Sequence, residues 1–209
     1  MKILVTGFEP FGGSPVNSSE QVVLHLQDIS IPGIALVTSI LPVDQNRSAQ
    51  QLIEVFEAVQ PGAILCLGEA ARRSVISVER VAVNLLDYCI PDNHGNQVID
   101  QFIVPGGPAA YFATLPVYKI FEKIRLAGIP TELSLSAGSF LCNQVLYEIL
   151  HYLEVNRLSI KAGFVHLPSL PDQAAQLDPK LPGMDLETAL KGVLLALEGI
   201  RESLVTCDS

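Results

Sequence analysis

The sequence has few charged residues, and basic residues are especially scarce. Charged side chains make up 17% of its 209 residues, against about 25% in a typical soluble protein. Lys and Arg together number 13 and form no run, while Asp and Glu number 22, giving a formal net charge of −9. Because phosphate binding requires clustered Lys and Arg, this composition argues against a nucleic-acid partner. The charge-poor, apolar surface that it implies favours self-association, so we expect a homo-oligomer.

Long apolar runs are also missing. No stretch approaches the roughly 18 consecutive apolar residues that a membrane span requires. The apolar part of residues 1–7 is too short for a signal peptide, and a glycine ends it at once. The sequence therefore predicts no membrane partner and a cytoplasmic protein.

The spacing of the cysteines and histidines matches no disulfide or metal-binding motif. The four cysteines, Cys66, Cys89, Cys142 and Cys207, lie far apart and include no Cys-x-x-Cys motif. This spacing fits neither a disulfide framework nor a zinc site. No His-x-x-x-His pattern occurs, and the acidic residues are scattered, so we expect no metal. Cys207 lies near the end of the chain and is interpreted as a spare surface thiol.

What the sequence does contain is an alternation of apolar, strand-like segments with amphipathic, helical ones. The strand-like segments are residues 2–6, 35–41, 63–67, 75–86, 131–136 and 162–166, and the helical ones are 21–27, 44–59, 116–127, 143–150 and 184–204. This alternation predicts a single three-layer α/β/α domain over residues 1–209, with a mostly parallel central sheet. Functional sites in such sheets gather at the carboxyl ends of strands.

One cysteine stands where reactivity is favoured. Cys142 follows the turn-prone Ser-Ala-Gly-Ser run of residues 136–139 and opens the helix predicted from Asn143. A thiol at a helix N-terminus meets the positive end of the helix dipole and free backbone N–H groups, which lower its pKa. Cys142 is therefore a candidate nucleophile. The alternative is a buried cysteine with a purely structural role.

A thiol nucleophile needs a base, and the base needs an acceptor that orients it. His166 ends a predicted strand, so it can share a sheet edge with Cys142. His151 follows Cys142 by about 13 Å along the predicted helix, which is too far for contact. The best-placed base is therefore His166. The alternative for His166 is a half-buried imidazole with satisfied hydrogen bonds.

The candidate acceptor is Glu79, which lies beside Arg80 within the apolar run of residues 76–84. Burying an unpaired charge is costly, so a charged pair in such a run is unusual. Neighbouring residues on a strand point to opposite faces, so we expect one of the two to point inward. The alternative is a solvated strand face that carries both.

A loop rich in glycine, residues 7–13, follows the first strand. It lacks both the Gly-x-Gly-x-x-Gly spacing and the Lys-Ser/Thr pair of a phosphate loop. Its two aromatic residues, Phe8 and Phe11, can instead form the wall of an apolar pocket. A loop folded back onto the core is the alternative.

Four segments together resemble one family. Residues 7–13, the block of residues 76–84 that follows Gly68, residues 136–143 and residues 164–168 occur in the order typical of pyroglutamyl peptidase type I, also called pyrrolidone carboxyl peptidase. The similarity runs from Met1 to about Gln173. It implies one α/β/α domain, often assembled as a homotetramer, without a metal or an organic cofactor.

The resemblance also implies an activity and a site. Members of this family are cysteine peptidases that remove an N-terminal pyroglutamyl residue from peptides through a thioester acyl-enzyme. By analogy, Cys142 is the nucleophile, His166 is the general base and then acid, and Glu79 orients His166. The residues that the resemblance places around the lactam ring of the substrate are Phe8, Phe11, Ile90, Phe140 and Leu141.

Two positions depart from the family pattern. Glu69 stands where a glutamine that helps to bind the lactam is usual, and Cys89 stands where a basic residue is usual. Glu69 can accept the lactam N–H if ionised, provided that Arg72 or Arg73 pairs with it. We therefore expect an active enzyme with altered substrate affinity. The alternatives are a related thiol amidase with a changed pocket and a non-catalytic homologue that acts as a binding or scaffold protein.

Overall fold

The computed structural model describes residues 1–178 and 180–205, and Cys207 lies outside these residues. The strands are β1 (Lys2–Phe8), β2 (Ala35–Leu41), β3 (Ala63–Glu69), β4 (Ile76–Glu79), β5 (Val81–Val83), β6 (Ala110–Phe112), β7 (Thr131–Ser134) and β8 (Lys161–Leu167). The helices are α1 (Ser18–Leu26), α2 (Ser48–Val59), α3 (Val117–Leu126), α4 (Leu141–Val155), α5 (Pro171–Leu177) and α6 (Leu186–Val205). Within the described residues, no helix is both long and apolar enough to cross a membrane.

Six strands form the central sheet in the order β2-β1-β3-β8-β4-β7. The first four run parallel to one another, whereas β4 runs antiparallel to β8 and parallel to β7. Residues of α1, α3 and α6 pack on one face of the sheet, and residues of α2 and α4 pack on the other. The predicted three-layer arrangement around a mostly parallel sheet is confirmed.

The buried strands explain the apolar runs of the sequence. Along β1, Ile3 and Val5 belong to one core, while Leu4 between them belongs to the other. A strand covered by helices on both sides is apolar at every position rather than at every second one. Both cores therefore meet at the central strands β1, β3 and β8.

The extended segment predicted for residues 75–86 is divided in two. It leaves the central sheet after Glu79, and β5 pairs with β6 in a separate antiparallel ribbon. Neither β6 nor the seven-residue helix α5 is predicted from the sequence. Both are too short to produce a recognisable hydrophobic period.

The direction of β7 corrects one step of the sequence argument. Because β7 is parallel to β4, and β4 is antiparallel to β8, the carboxyl ends of β7 and β8 point to opposite edges of the sheet. The expectation that Cys142 and His166 meet because both follow strands at one edge is therefore wrong. Residues 135–140 connect β7 to α4, which packs on the face that contains Phe164.

Candidate active site

Cys142 lies in the first turn of α4 and packs against a buried glycine, Gly68. The helix begins at Leu141, and its N-cap residue Phe140 makes no side-chain capping hydrogen bond. A Cβ atom placed on Gly68 would lie only 2.8 Å from the Sγ atom of Cys142 and 2.7 Å from Phe164. Gly68 thus provides the space in which the thiol sits. Since Gly68 pairs with His166 across β3 and β8, the thiol lies level with this histidine.

The imidazole of His166 is held by a buried carboxylate. Its Nδ1 atom lies 2.8 Å from the Oε1 atom of Glu79, and the two side chains are 5% and 0% exposed. The antiparallel register pairs Glu79 with Phe164, so Glu79 and His166 share a face of the sheet. Arg80 is exposed, so the expectation that one residue of this charged pair points inward is confirmed.

Arg73 pairs with Glu79, whereas the sequence argument named Arg72 or Arg73 as the partner of Glu69. Its Nη1 atom lies 2.5 Å from Oε1 of Glu79, and its Nη2 atom donates to the carbonyl oxygen of Ser136 at 2.7 Å. Among the described residues, neither Arg72 nor Arg73 forms an ion pair with Glu69. The turn after β3 directs the Arg73 guanidinium along the sheet to β4 instead. Arg73 and Glu79 are six positions apart in the chain with a turn between them, and no sequence pattern indicates that such residues pair.

Burial sets the charge state of the three central groups. Burial opposes ionisation of Glu79, but hydrogen bonds from His166 and Ser134 and the charge of Arg73 hold its pKa below the ordinary value. Burial also lowers the pKa of His166 and, together with the negative charge of Glu79, raises the pKa of Cys142 to about 12. The expected lowering of the thiol pKa at the helix N-terminus is therefore outweighed by desolvation. At neutral pH the site holds a carboxylate, a neutral imidazole and a neutral thiol.

A cavity of about 150 Å³ opens beside the thiol and the imidazole. Its lining residues are Phe8, Phe11, Asn17, Val43, Glu69, Ala137, Phe140, Leu141, Cys142 and His166. Every residue predicted to surround the ligand is among them except Ile90. Ile90 is 37% exposed and lies outside the lining, near Gly12. The lining is mainly apolar and aromatic, and besides Cys142 and His166 its polar groups are the carboxylate of Glu69 and the amide of Asn17.

The carboxylate of Glu69 is bound by its own chain. Its Oε2 atom accepts from the backbone N–H of Ser18 at 2.8 Å, in the first turn of α1. Its Oε1 atom accepts from the hydroxyl of Ser169 at 2.8 Å, and Gln173 donates to both oxygens. Helix N-termini favour negative charge, so α1 takes the stabilising role that an arginine was expected to have. Sequence analysis missed Ser18, Ser169 and Gln173, because they are distant from Glu69 in the chain.

The loop of residues 7–13 both reaches the core and lines the cavity. Phe8 is 3% exposed and packs in the core, while Phe11 lies beside Phe140 with their ring centroids 6.2 Å apart. The Oε1 atom of Glu9 accepts from the backbone N–H of Val43 and from the side chain of Asn93, at 2.8 and 2.9 Å. These bonds tie the loop to Val43, which also lines the cavity, and to Asn93.

The described residues contain no cluster of three or more His, Cys, Asp and Glu side chains that could hold a metal ion. The groups at the site are instead a thiol, an imidazole and a carboxylate, the residue types that acyl transfer through a covalent intermediate requires. The uncapped first turn of α4 adds backbone N–H donors beside the thiol.

Comparisons with known proteins agree on one family. The family model described as pyroglutamyl peptidase matches residues 1–203. Pyrrolidone-carboxylate peptidase from Coprothermobacter proteolyticus is 42% identical over 203 residues, covering 97% of this chain and 98% of that protein. Pyrrolidone-carboxylate peptidase 1 from Caldanaerobacter subterraneus is 44% identical over 204 residues, covering 98% of this chain and 100% of that protein.

Solved structures give the same result for the fold. Pyrrolidone carboxyl peptidase from Thermococcus litoralis superposes with a TM-score of 0.93 at 40% identity, covering 98% of this chain and 95% of that one. Pyroglutamyl peptidase I from Bacillus amyloliquefaciens superposes with a TM-score of 0.91 at 37% identity, covering 95% of this chain and 96% of that one. The resemblance found in the sequence is thus confirmed, and the chain belongs to the pyroglutamyl peptidase family.

Proposed function

We propose that this chain is a cysteine exopeptidase that removes an N-terminal pyroglutamyl residue from peptides, with Cys142, His166 and Glu79 as its catalytic triad. The observation that carries the proposal is the buried Glu79–His166 pair, which adjoins the cavity that Cys142 also lines. Family membership supports the substrate class. Besides the substrate and water, the proposed chemistry uses a nucleophile, a base and hydrogen-bond donors, and the protein supplies all three.

The cavity suits a small, neutral ring. An apolar protein cavity of about 150 Å³ is known to hold benzene, and a five-membered lactam is of similar size. Phe8, Phe11, Phe140 and Leu141 supply apolar walls for it. Glu69 is the only carboxylate among the lining residues, so it is the proposed acceptor for the lactam N–H. A site with polar groups placed in this way rejects a ring that cannot pair with them.

In the first half of the reaction His166 acts as a base. Its Nδ1–H donates to Glu79, so Nε2 is free to take the proton of the neutral Cys142 thiol. The sulfur attacks the exocyclic carbonyl carbon, and the electron pair of the C=O bond moves to oxygen. Backbone N–H groups in the first turn of α4 stabilise this oxyanion, each such donor being worth about 3 kcal/mol.

The second half returns the enzyme to its starting state. The tetrahedral intermediate collapses, the C–N bond breaks, and the imidazolium of His166 protonates the leaving amine. The product peptide departs and leaves a pyroglutamyl thioester on Cys142. His166 then takes a proton from water as the water oxygen attacks the thioester carbonyl carbon. The C–S bond breaks, and the imidazolium returns the proton to the sulfur, which leaves free pyroglutamic acid and the thiol.

The test is release of a fluorogenic amine from its pyroglutamyl, prolyl and acetyl amides by the reduced protein. We expect cleavage of the pyroglutamyl amide alone, lost in Cys142→Ser and kept in Cys89→Ser, which changes an exposed cysteine. Cleavage of a different blocked amide would favour the thiol amidase with a changed pocket, which the carboxylate of Glu69 makes the second candidate. A folded, reduced wild type that cleaves none of them would favour the non-catalytic homologue.

We also propose a cytoplasmic homo-oligomer, a tetramer by analogy with the family. Large apolar side chains support self-association, since Phe102 and Phe112 are 68% and 71% exposed. Light scattering coupled to size-exclusion chromatography measures the mass directly, and a monomer at micromolar concentration would contradict the proposal. Cell fractionation with a tagged chain tests the location.

A further inference from the structure

Arg73 occupies a central place that the proposed reaction does not yet explain. It lies in the turn after β3, where its backbone N–H donates to the carbonyl oxygen of Ala70 at 2.9 Å. Its side chain is only 26% exposed. The two terminal nitrogens of its guanidinium bind two different parts of the site.

One nitrogen binds the orienting carboxylate. Nη1 of Arg73 contacts Oε1 of Glu79, the same oxygen that lies 2.8 Å from Nδ1 of His166. Glu79 is fully buried, and a buried carboxylate without a cation is strongly unfavourable. The guanidinium therefore compensates the charge of Glu79 and also fixes the direction in which its oxygen faces the imidazole.

The other nitrogen binds the segment that carries the nucleophile. Nη2 of Arg73 donates to the carbonyl oxygen of Ser136 at 2.7 Å. Residues 135–140 run from β7 to α4, and within them Ala137 and Phe140 line the cavity. Cys142 follows two residues after Phe140. A shift of this segment would move the cavity wall and the thiol together.

We propose that Arg73 is a positioning residue that joins the Glu79–His166 pair to the segment that carries Cys142. The inference rests on the proposed function and goes beyond it, because it gives a role to a residue that need not touch the substrate. The planar fork of a guanidinium can bind two acceptors in fixed directions, whereas the single ammonium of lysine cannot reproduce both contacts. Charge and geometry can therefore be separated by substitution.

The charge of Arg73 acts on His166 in a definite direction. Glu79 on β4 and Arg73 in the turn after β3 act on His166 directly. Cys142 on α4 and Glu69 on β3 line the same cavity as His166, and Cys66 on β3 lies near Cys142. Glu79 favours the imidazolium, while Arg73 disfavours it. Removing the positive charge should therefore raise the pKa of His166, and replacing arginine by lysine should not.

The experiment compares Arg73→Met and Arg73→Lys with Arg72→Met, a matched change at the exposed neighbouring arginine. Imidazole NMR titration gives the pKa of His166, assigned with His166→Asn, and steady-state kinetics with the pyroglutamyl amide give kcat and KM against pH. Circular dichroism checks that each variant is folded. The NMR titration needs no activity, so it tests the inference even if the proposed function fails.

We expect Arg73→Met to raise the pKa of His166 and to move the acid limb of kcat/KM to higher pH. It should also lower kcat/KM by about 100-fold, a loss that a misplacement of about 1 Å can cause. Arg73→Lys should leave the pKa of His166 near the wild-type value and raise KM, because the bond to Ser136 is lost. If the Arg73→Met and Arg72→Met variants have the same pKa of His166 and the same kcat and KM, the inference is wrong. Should Arg73→Met fail to fold, an Arg73→Lys variant with wild-type KM and kcat would overturn the inference.

Discussion

The Nδ1 atom of His166 and the Oε1 atom of Glu79 lie 2.8 Å apart, although 87 positions separate the two residues in the chain. The antiparallel register of β4 and β8 creates this contact by placing both side chains on one face of the sheet. A carboxylate can only accept a hydrogen bond, so Nδ1 must carry a proton. This leaves Nε2 unprotonated and able to act as a base toward the cavity.

The first prediction concerns the charge of Glu79. Glu79→Gln keeps the size of the side chain but removes its charge, so it no longer selects the tautomer or stabilises the imidazolium. We expect kcat for the pyroglutamyl amide to fall by about 10²- to 10⁴-fold with little change in KM, as for the corresponding change in other triads. Glu122→Gln, at an exposed position, is the control. A loss of less than tenfold would remove Glu79 from the mechanism.

The second prediction concerns the dependence of activity on pH. The base must be a neutral imidazole, so kcat/KM should rise with pH through the pKa of His166, which burial lowers from its ordinary 6.5. The pKa of the Cys142 thiol, at about 12, lies far above this range, so no alkaline loss between pH 7 and 9 should come from the thiol–imidazole pair. A preformed thiolate–imidazolium pair would instead lose activity when the imidazolium loses its proton. A bell-shaped profile of kcat/KM with an alkaline limb between pH 7 and 9 would therefore contradict the neutral resting state.

The third prediction concerns the space beneath the thiol. A Cβ atom at position 68 would lie 2.8 Å from Sγ of Cys142 and 2.7 Å from Phe164, so Gly68→Ala must displace both. We expect lower kcat and a loss of about 1–3 kcal/mol in the free energy of unfolding, as for other overpacked cores. Gly62→Ala is the matched control, because its Cβ would meet no atom closer than 3.6 Å. Equal effects of the two substitutions on kcat and stability would mean that Gly68 does not set the position of the thiol.

Much of this fold follows from the sequence, and the missing parts have physical reasons. The bounds of β2 are predicted correctly, and α4 is expected from its amphipathic pattern. The direction of β4 and β7 is not predictable from periodicity, since a buried strand has the same apolar pattern in either direction. Helix α2 begins at Ser48 rather than at Asp44, because residues 44–47 form a turn in which the N–H groups of Arg47 and Ser48 both donate to Asp44.

The candidate site residues leave clearer signals in the sequence than the residues that hold them in place. Cys142, His166 and Glu79 stood out because a thiol at a helix start, a histidine at a strand end and a carboxylate in an apolar run are each unusual. Arg73 and the partners of Glu69 did not, because hydrogen bonds between residues distant in sequence leave no periodic pattern. The charge state of the thiol was also missed, since burial depends on packing that spacing alone does not reveal.

The fourth prediction concerns Glu69, the carboxylate in the cavity wall. In Glu69→Gln the amide can still accept from Ser18 and can also donate to a lactam carbonyl, which a carboxylate cannot do. We expect KM for the pyroglutamyl amide to fall about 2- to 10-fold, the worth of one hydrogen bond of about 0.5–1.5 kcal/mol. Glu154→Gln, at an exposed position, controls for the change in net charge. Unchanged kinetics across pH would mean that Glu69 has no special role in binding.

The fifth prediction concerns the wall formed by residues 7–13. The side chain of Asn93 donates to Glu9 and to the carbonyl oxygen of Pro10, both at 2.9 Å, and so holds this loop beside Val43. Asn93→Ala removes both bonds and should raise KM about 2- to 10-fold for each net hydrogen bond lost, with little change in kcat. His94→Ala, a neighbouring change at a side chain that is 62% exposed, should alter neither. A fall in kcat without a rise in KM would show that the loop acts on the chemistry rather than on binding.

The most direct test of the mechanism is mass spectrometry of the enzyme quenched in acid during turnover of a pyroglutamyl amide. Peptide mapping should show a pyroglutamyl group on Cys142, while Cys66 and Cys89 stay unmodified, and His166→Asn should abolish the adduct. Glu79→Gln should form it more slowly. Rapid release of the amine with no adduct on Cys142 at any quench time, or an adduct on another residue, would contradict the account.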